Sequence, residues 1–216
     1  MGVTLTVGLL FPLLPGMFPR PPLLTARSLP HEVSVVLPSE SQDDAALGVA
    51  MEDLSQTMES LGISVKGGHD GDKVTLSGFN LVVGKADSLW VQRLSEAGAI
   101  SPPSLGEEGY LIQRTAYRGL PFVVIVGGGA LGQAYGMFRL SEMLRLDPAA
   151  LNGDLAVQAE PAMTLRLVSS PGLPNYPSPQ DALRWCFNAV MIAPWPGLAL
   201  YDRFDAALLY ARRHPE

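Results

Sequence analysis

Residues 107–146 constrain the fold more than any other stretch, because they combine two strand patterns with a glycine-rich turn and a helical pattern. The first predicted strand spans residues 110–116. The second, residues 122–126, contains only β-branched and aromatic residues, which is typical of a strand covered on both faces. Residues 118–121 supply the turn between the strands, since they include glycine and proline. After Gly129, apolar side chains recur at helical spacing. The stretch therefore predicts a β-hairpin followed by a helix packed on a sheet.

The glycines at the start of this helix allow a nucleotide-binding interpretation. Gly127, Gly129 and Gly132 satisfy G-x-G-x-x-G directly after a strand, which is where a dinucleotide fingerprint occurs. The fingerprint also needs a second parallel strand after the helix, with an acidic residue about 20 residues on. Here the helix runs into the turn-rich residues 146–153. The expected βαβ unit is missing, so this is the weaker interpretation.

The second interpretation comes from a resemblance. The strand E-G-Y, the strand FVVIVGG and the helix GALGQAYGMFRLSEML together resemble the end of the small, zincin-like α/β domain that precedes the catalytic barrel in family 20 β-N-acetylhexosaminidases, α-glucuronidases and related glycoside hydrolases. The matching residues are Glu108, Gly109, Tyr110, Gly132, Tyr135, Gly136 and Leu140. The resemblance implies that the glycines are packing residues and do not bind phosphate.

The patterns before this stretch complete a small domain. Predicted strands at residues 32–37, 63–66 and 79–84 alternate with predicted helices, one over residues 45–61 and one over residues 85–97. Ser41 or Asp43 is expected to cap the first helix, and Gly62 is expected to follow its end. With the antiparallel hairpin, the order of elements predicts an α/β fold with a mixed sheet and helices on it.

The last part of the chain has the pattern of a barrel start. Strands are predicted at residues 163–168 and 189–193, and helices at residues 178–187 and 205–213. This order is that of the first two βα units of a (β/α)8 barrel, and R-W-C-F-N-A-V-M-I resembles the first barrel helix and second strand of the same enzymes. Two units cannot close a barrel, so this part is expected to be incomplete.

Four segments follow from these patterns: a leader (1–30), a small accessory domain (31–148), a linker (149–160) and a barrel start (161–216). The leader has an apolar run that is too short and too interrupted by proline to span a bilayer. It is interpreted as a secretory signal cleaved after Ala26, although no basic residue precedes the apolar run. The expected location is therefore secreted or periplasmic, with an uncleaved leader as the alternative.

The chain is expected to lack the catalytic groups of a glycosidase. Glycoside hydrolysis usually requires two carboxyl groups that flank the scissile bond. In the enzymes that the chain resembles, these groups lie on later barrel strands, so the present chain is expected to be inactive. The acidic pairs that it does contain are interpreted as a helix cap, a strand entry and a helix start; these are Asp43/Asp44, Glu107/Glu108 and Asp202/Asp205.

Two residues are candidates for substrate binding, because barrel active sites lie at the C-terminal ends of the strands. The resemblance implies that Arg166 corresponds to the first-strand arginine that contacts sugar hydroxyls in the hexosaminidases, with a structural salt bridge as the alternative, and residues 167–170 depart from the family pattern. Trp195 follows the second predicted strand and is a candidate for stacking on a sugar, with packing at the barrel rim as the alternative. Ser169 and Asn188 are interpreted as structural residues of the loops.

Composition excludes several other classes of function. A net charge of −6 and a pI near 5.1 argue against nucleic-acid binding. The single Cys186 excludes an internal disulfide, and the histidines do not have metal-ligand spacing. His69, Asp70 and Asp72 are interpreted as a solvated turn. No cofactor, no metal and no membrane span are predicted. The expected partner is a glycan, and a non-enzymatic carbohydrate-binding or scaffold module is the alternative.

Overall fold

The computed structural model describes residues 29–39, 44–70, 76, 78–162, 167–170, 179–186 and 189–192. Up to residue 162 the elements are β1 (Glu32–Leu37), α1 (Ala45–Ser60), β2 (Ser64–His69), β3 (Asn80–Gly84), α2 (Leu89–Glu96), β4 (Tyr110–Tyr117), β5 (Leu120–Gly127), α3 (Ala130–Leu146), a 3-10 helix (Pro148–Asn152) and β6 (Ala156–Ala159). Beyond it lie β7 (Leu167–Ser170), α4 (Pro179–Arg184) and β8 (Ala189–Ile192).

A six-stranded sheet connects the elements of the first part. Its strand order is β2-β1-β3-β5-β4-β6. Strand β1 is parallel to β2 and β3, β3 is parallel to β5, and β4 is antiparallel to both β5 and β6. Helix α1 connects the parallel neighbours β1 and β2, whereas a hairpin joins the antiparallel strands β4 and β5. The predicted α/β fold with a mixed sheet is confirmed.

Helices cover both faces of the sheet because the central strands are apolar on both sides. Val33 and Val35 of β1 belong to the core that includes α1 and α3. Val36 of β1 and Val82 of β3 belong to the core on the other face, with Trp90 of α2. The four valines are at most 1% exposed, and full burial of such a side chain stabilises the fold by about 1.5–3 kcal/mol. The sheet is therefore the middle layer of three.

The N-cap of helix α1 lies one residue after Asp43 and three residues after Ser41, the two expected caps. The side chain of Asp44 accepts a hydrogen bond from the Leu47 backbone nitrogen at 2.9 Å, so Asp44 is the N-cap. The prediction of Ser41 or Asp43 in this role is wrong, because the neighbouring carboxylate has the position from which it reaches the third helical N–H. At the other end, Gly62 has a φ of 77°, which confirms it as the residue that follows the helix.

The turn of the β4–β5 hairpin consists of two residues. Arg118 and Gly119 have φ angles of 52° and 78°, and Tyr117 pairs with Leu120. Positive φ at both central positions suits the right-handed twist of a tight hairpin. The prediction of a four-residue turn is wrong in its length, because Pro121 lies inside β5 and pairs with Ala116.

The stretch predicted as a linker, residues 149–160, contains regular structure. It includes most of the 3-10 helix and all of β6, and Tyr110 of β4 pairs with Ala159. Leu151 and Leu155 are at most 4% exposed. These residues therefore complete one edge of the sheet and close part of its core.

Strands β7 and β8 form a separate parallel pair in which Leu167 is opposite Ala189 and Ser170 is opposite Ile192. Helix α4 lies between them in sequence and begins at Pro179, as the pattern predicted. This is the strand–helix–strand order expected for a barrel start. The predicted helix at residues 205–213 and nearly all of the predicted leader lie outside the described residues. Within the described part, no helix is long and apolar enough to cross a membrane.

A buried carboxylate connects α4 to the helical layer of the small domain. The side chain of Asp53 on α1 is 5% exposed and forms ion pairs with Arg145 of α3 and Arg184 of α4. Arg145 also donates to the Thr57 hydroxyl at 2.8 Å. One carboxylate thus joins three helices, two from the small domain and one from the segment that follows it.

Candidate functional site

The loop that precedes β4 occupies the space next to the glycine-rich turn between β5 and α3. A Cβ added to Gly129 would be 2.7 Å from Cγ of Glu107 and 2.9 Å from its carbonyl oxygen, and one added to Gly132 would be 3.0 Å from the same oxygen. A Cβ on Gly128 would overlap the backbone of Gly106. Glycine is required here because another backbone approaches closely.

This geometry does not support the nucleotide-binding interpretation. A phosphate at a helix N-terminus needs open space and free backbone N–H groups. Here the Gly128 N–H donates to the carbonyl oxygen of Gly109 at 2.9 Å, and the backbone and Cγ of Glu107 occupy the space next to Gly129. The strand after α3 is β6, which β4 separates from β5. Gly127, Gly129 and Gly132 are therefore packing residues.

The same hairpin explains the other residues of the E-G-Y and glycine–tyrosine–glycine pattern. Gly136 of α3 lies beneath β4 and β5, because a Cβ there would overlap the side chain of Ile125 and come within 3.6 Å of Cβ of Tyr110. Tyr135 is 1% exposed and Leu140 is fully buried. The glycine–tyrosine–glycine pattern therefore reflects the close packing of α3 against β4 and β5.

Tyr110 lies at this contact and is 8% exposed. Burial raises the pKa of its phenol above the ordinary value of 10.0, because the phenolate would lose its solvation. Cys186 raises this pKa further, whereas Arg139 lowers it. Tyr110 is therefore neutral at physiological pH and contributes apolar packing.

The carboxylates with described contacts have structural roles. Asp44 caps α1, and Glu160 accepts a hydrogen bond from the Gly106 backbone nitrogen at 3.1 Å. Asp70 accepts from the backbone nitrogens of Leu89 at 2.8 Å and Trp90 at 3.2 Å. Of the predicted acidic pairs, Asp43, Asp202 and Asp205 lie outside the described residues.

The first residue of the predicted turn at His69, Asp70 and Asp72 belongs to a strand. Strand β2 extends to His69, and Nδ1 of its ring lies 3.4 Å from the carbonyl oxygen of Pro38. Asp70 closes the N-terminus of α2, whereas Asp72 is outside the described residues. No three His, Cys, Asp or Glu side chains among the described residues form a group that could hold a metal ion.

The two predicted substrate-binding residues, Arg166 and Trp195, lie outside the described residues, as does Asn188. Their roles stay predictions. Ser169 lies in β7, opposite Met191 of β8, so it belongs to a strand and not to a loop.

One pocket with charged walls lies on the α2 face of the sheet. It has a volume of about 390 Å³ and is lined by Leu76, Trp90, Arg93, Tyr117 and Arg118. Helix α2 provides the tryptophan and one arginine, and the end of the β4–β5 hairpin provides the tyrosine and the other arginine. The hairpin turn thus brings a second arginine and aromatic ring to the helix.

Each arginine of the pocket lies over an aromatic ring. The guanidinium carbon of Arg93 is 5.1 Å from the ring centroid of Trp90, and that of Arg118 is 5.1 Å from the centroid of Tyr117. The buried ring of Phe122 lies 6.4 Å from Trp90 and 6.1 Å from Tyr117, between centroids. Phe122 therefore supports both rings from the core.

This pocket is not evident from the sequence. Trp90 falls within the predicted helix of residues 85–97, and Arg118 falls within the predicted turn of residues 118–121. The only signal was the repeated arginine–aromatic pairing, at i, i+3 in Trp90/Arg93 and at adjacent positions in Tyr117/Arg118. Nothing in the spacing indicates that the two pairs meet.

Two solved structures have a fold similar to that of this chain. The fold is similar to that of BtGH115A, a family GH115 4-O-methyl-α-glucuronidase with specificity for decorated arabinogalactans, with a TM-score of 0.53 and 16% identity over 76% of this chain and 26% of that chain. It is also similar to CpGH84D, with a TM-score of 0.51 and 14% identity over 77% of this chain and 28% of that chain. The chain therefore shares its α/β fold with part of each of these two proteins.

The family is shown by sequence. The model of the glycosyl hydrolase family 67 N-terminus matches residues 25–140, which is more than half of the chain, and the chain belongs to this family. The matched range includes β1 to β5 and most of α3. No curated protein sequence matches the chain. The chain spans only 26% and 28% of the two similar structures.

Proposed function

We propose that this chain provides the non-catalytic N-terminal domain of a glycoside hydrolase that removes uronic-acid units from glycans, in the manner of an α-glucuronidase. The observation that carries the proposal is the match of residues 25–140 to the N-terminal domain of glycosyl hydrolase family 67. The 4-O-methyl-α-glucuronidase with the same fold supports the choice of a uronic acid over an amino sugar.

The assignment as non-catalytic is supported by the described carboxylates. The best-buried of them, Asp53, is paired with two arginines. Asp44 and Asp70 hold helix N-termini, and Glu160 holds a loop. A glycosidase requires two carboxyl groups that face the scissile bond, and side chains held in these contacts do not fit that role.

The experiment compares two preparations. One preparation is the 216-residue chain, and the other is the protein purified from its natural host. Each is assayed with an aryl α-glucuronide and an aryl N-acetyl-β-glucosaminide. The mass of each protein is also measured. We expect the native protein to cleave the glucuronide and the 216-residue chain to cleave neither. Cleavage of only the glucosaminide by the native protein would contradict the uronic-acid proposal, and turnover by the 216-residue chain would contradict the non-catalytic role.

A carbohydrate-binding or scaffold module is the second candidate, because the charged aromatic pocket is suited to a ligand. Saturable glycan binding by the native protein without any bond cleavage would favour it.

Export to the periplasm or medium is a further part of the proposal. It rests on the apolar leader and is tested by cell fractionation and N-terminal sequencing. A mature N-terminus at Arg27 would support it, and a cytoplasmic protein that begins at Met1 would contradict it.

A further inference from the structure

We propose that the pocket lined by Leu76, Trp90, Arg93, Tyr117 and Arg118 binds an acidic sugar unit, with the two guanidinium groups holding its carboxylate. The choice of a saccharide over other carboxylates rests on the proposed function. The choice of an anion rests on the pocket itself.

The charge of the pocket differs from that of the chain. The whole sequence has a net charge of −6, whereas both charged residues of the pocket wall are arginines. A local positive potential on an acidic protein attracts anions and orients them toward the wall. The pocket is therefore suited to a negatively charged ligand.

The side-chain contacts of Arg93 and Arg118 differ from those of other arginines in the described part. Arg139 and Arg145 form ion pairs with carboxylates, and Arg184 forms two. Arg93 and Arg118 instead lie over aromatic rings, and within the described part neither makes an ion pair or a hydrogen bond through its side chain. Stacking on a ring leaves the N–H groups at the guanidinium edge available, and these groups match the two oxygens of a carboxylate.

Core packing and backbone contacts hold the aromatic rings beneath the arginines. Trp90 is 9% exposed and its backbone nitrogen is held by Asp70. Phe122 is fully buried. The tight hairpin fixes the backbone of Arg118 in a left-handed conformation. Such preorganisation lowers the entropy lost on binding.

The size and walls of the pocket fit a sugar ring. Its volume of about 390 Å³ lies within the range of small-ligand sites. Leu76, Trp90 and Tyr117 supply the apolar part of the lining for the C–H groups of a pyranose, while the arginines offer donors to the carboxylate and a neighbouring hydroxyl. A ligand with one carboxylate on a six-membered ring uses both kinds of wall.

The test is a titration of the full chain, labelled with ¹⁵N, with sodium glucuronate, followed through the arginine side-chain N–H and tryptophan indole signals. Glucose and sodium acetate are the matched probes, since each carries half of the proposed ligand. We expect saturable shifts with glucuronate that are at least about tenfold tighter than with either probe, because charge-assisted hydrogen bonds and ring contacts add.

The variants are Arg93→Gln and Arg118→Gln, which change exposed side chains and leave the rings in place. Each is expected to weaken glucuronate binding about tenfold. Arg139→Gln, an exposed arginine on α3 paired with Glu142, is the control and is expected to bind as the unaltered chain does. Acetate binding as tightly as glucuronate would overturn the saccharide ligand, and no binding, or binding unaffected by both variants, would overturn the site. Neither result would bear on the glycosidase assay.

Discussion

At the residue scale, packing requires glycine at one helical position, Gly132, and does not require it at another, Gly48. Gly132 lies in the first turn of α3, where the loop before β4 leaves no space for a side chain. Gly48 lies in α1, where a Cβ would meet nothing within 4 Å. A glycine in a helix costs about 0.5–1 kcal/mol relative to alanine, so Gly132 keeps this cost because packing requires it, while Gly48 has no such requirement.

Gly132→Ala is therefore expected to lower the free energy of unfolding by roughly 2 kcal/mol, since the new methyl group overlaps backbone oxygens that cannot rotate away. Gly48→Ala is expected to raise it by about 0.5–1 kcal/mol. Urea unfolding followed by circular dichroism measures both. Similar effects of the two changes would mean that the loop does not hold its position against α3.

Tyr110 gives a pH-dependent prediction. In the unfolded chain its phenol ionises near pH 10.0, and in the fold its pKa is higher because of burial. Above pH 10 the unfolded state loses a proton that the folded state keeps, so stability falls as pH rises from about 10 toward the folded pKa. We expect Tyr110→Phe to remove this part of the loss, as seen from urea midpoints at pH 8, 9, 10 and 11. A stability difference between the two chains that is constant across this range would contradict the prediction.

At the element scale, strong local patterns were predicted well. Strand β1 was predicted at its observed bounds, and α1, β3, β5 and α3 were predicted within a few residues, because each buries a periodic apolar set. Strand β6 was not predicted. Its four residues, Ala-Val-Gln-Ala, have little β propensity, and pairing with β4 holds them in place. The pocket was missed for the same reason, since a non-local contact brings α2 and the hairpin turn together.

The start of α2 depends on a residue from another element. Ser88 is the N-cap by position, but its hydroxyl donates to the Lys85 carbonyl oxygen, and Asp70 at the end of β2 accepts the free helix N–H groups. Asp70→Ala is expected to lower the free energy of unfolding by about 1 kcal/mol, and Ser88→Ala by less. Thermal unfolding of the two variants shows which one loses more stability. A larger loss for Ser88→Ala would contradict the prediction and would show that the local cap dominates.

At the scale of the whole molecule, Asp53 is the point where three helices meet. It is nearly buried, and one of its two arginines comes from α4, beyond the six-stranded sheet. The sequence predicted these helices separately, yet it offered no sign of the contact, because the partners are far apart in the chain. The ion pairs attach the segment after residue 162 to the small domain.

Asp53→Asn is expected to lower the free energy of unfolding by about 1–3 kcal/mol, because two partly buried guanidinium groups lose their shared anion. Arg139→Gln, which breaks an exposed ion pair, is the matched change and is expected to alter stability by no more than about 0.5 kcal/mol. Chemical denaturation gives both values. If Asp53→Asn changed the free energy of unfolding as little as the control does, the ion pairs of Asp53 would orient the helices without stabilising the fold.

The edge position of β6 also has a consequence for synthesis of the protein. Strand β4 leaves the ribosome well before its partner β6, so the nascent domain presents an unpaired edge until residues 156–159 have emerged. Such an edge can pair with another chain. A fragment that stops at residue 140, where the family match ends, would keep that edge exposed permanently and would lack the last part of α3. A fragment bounded by the family match is therefore expected to place the eight-residue strand β4 at the edge of the sheet instead of the four-residue strand β6, and to aggregate more readily than a fragment that includes residues 156–159.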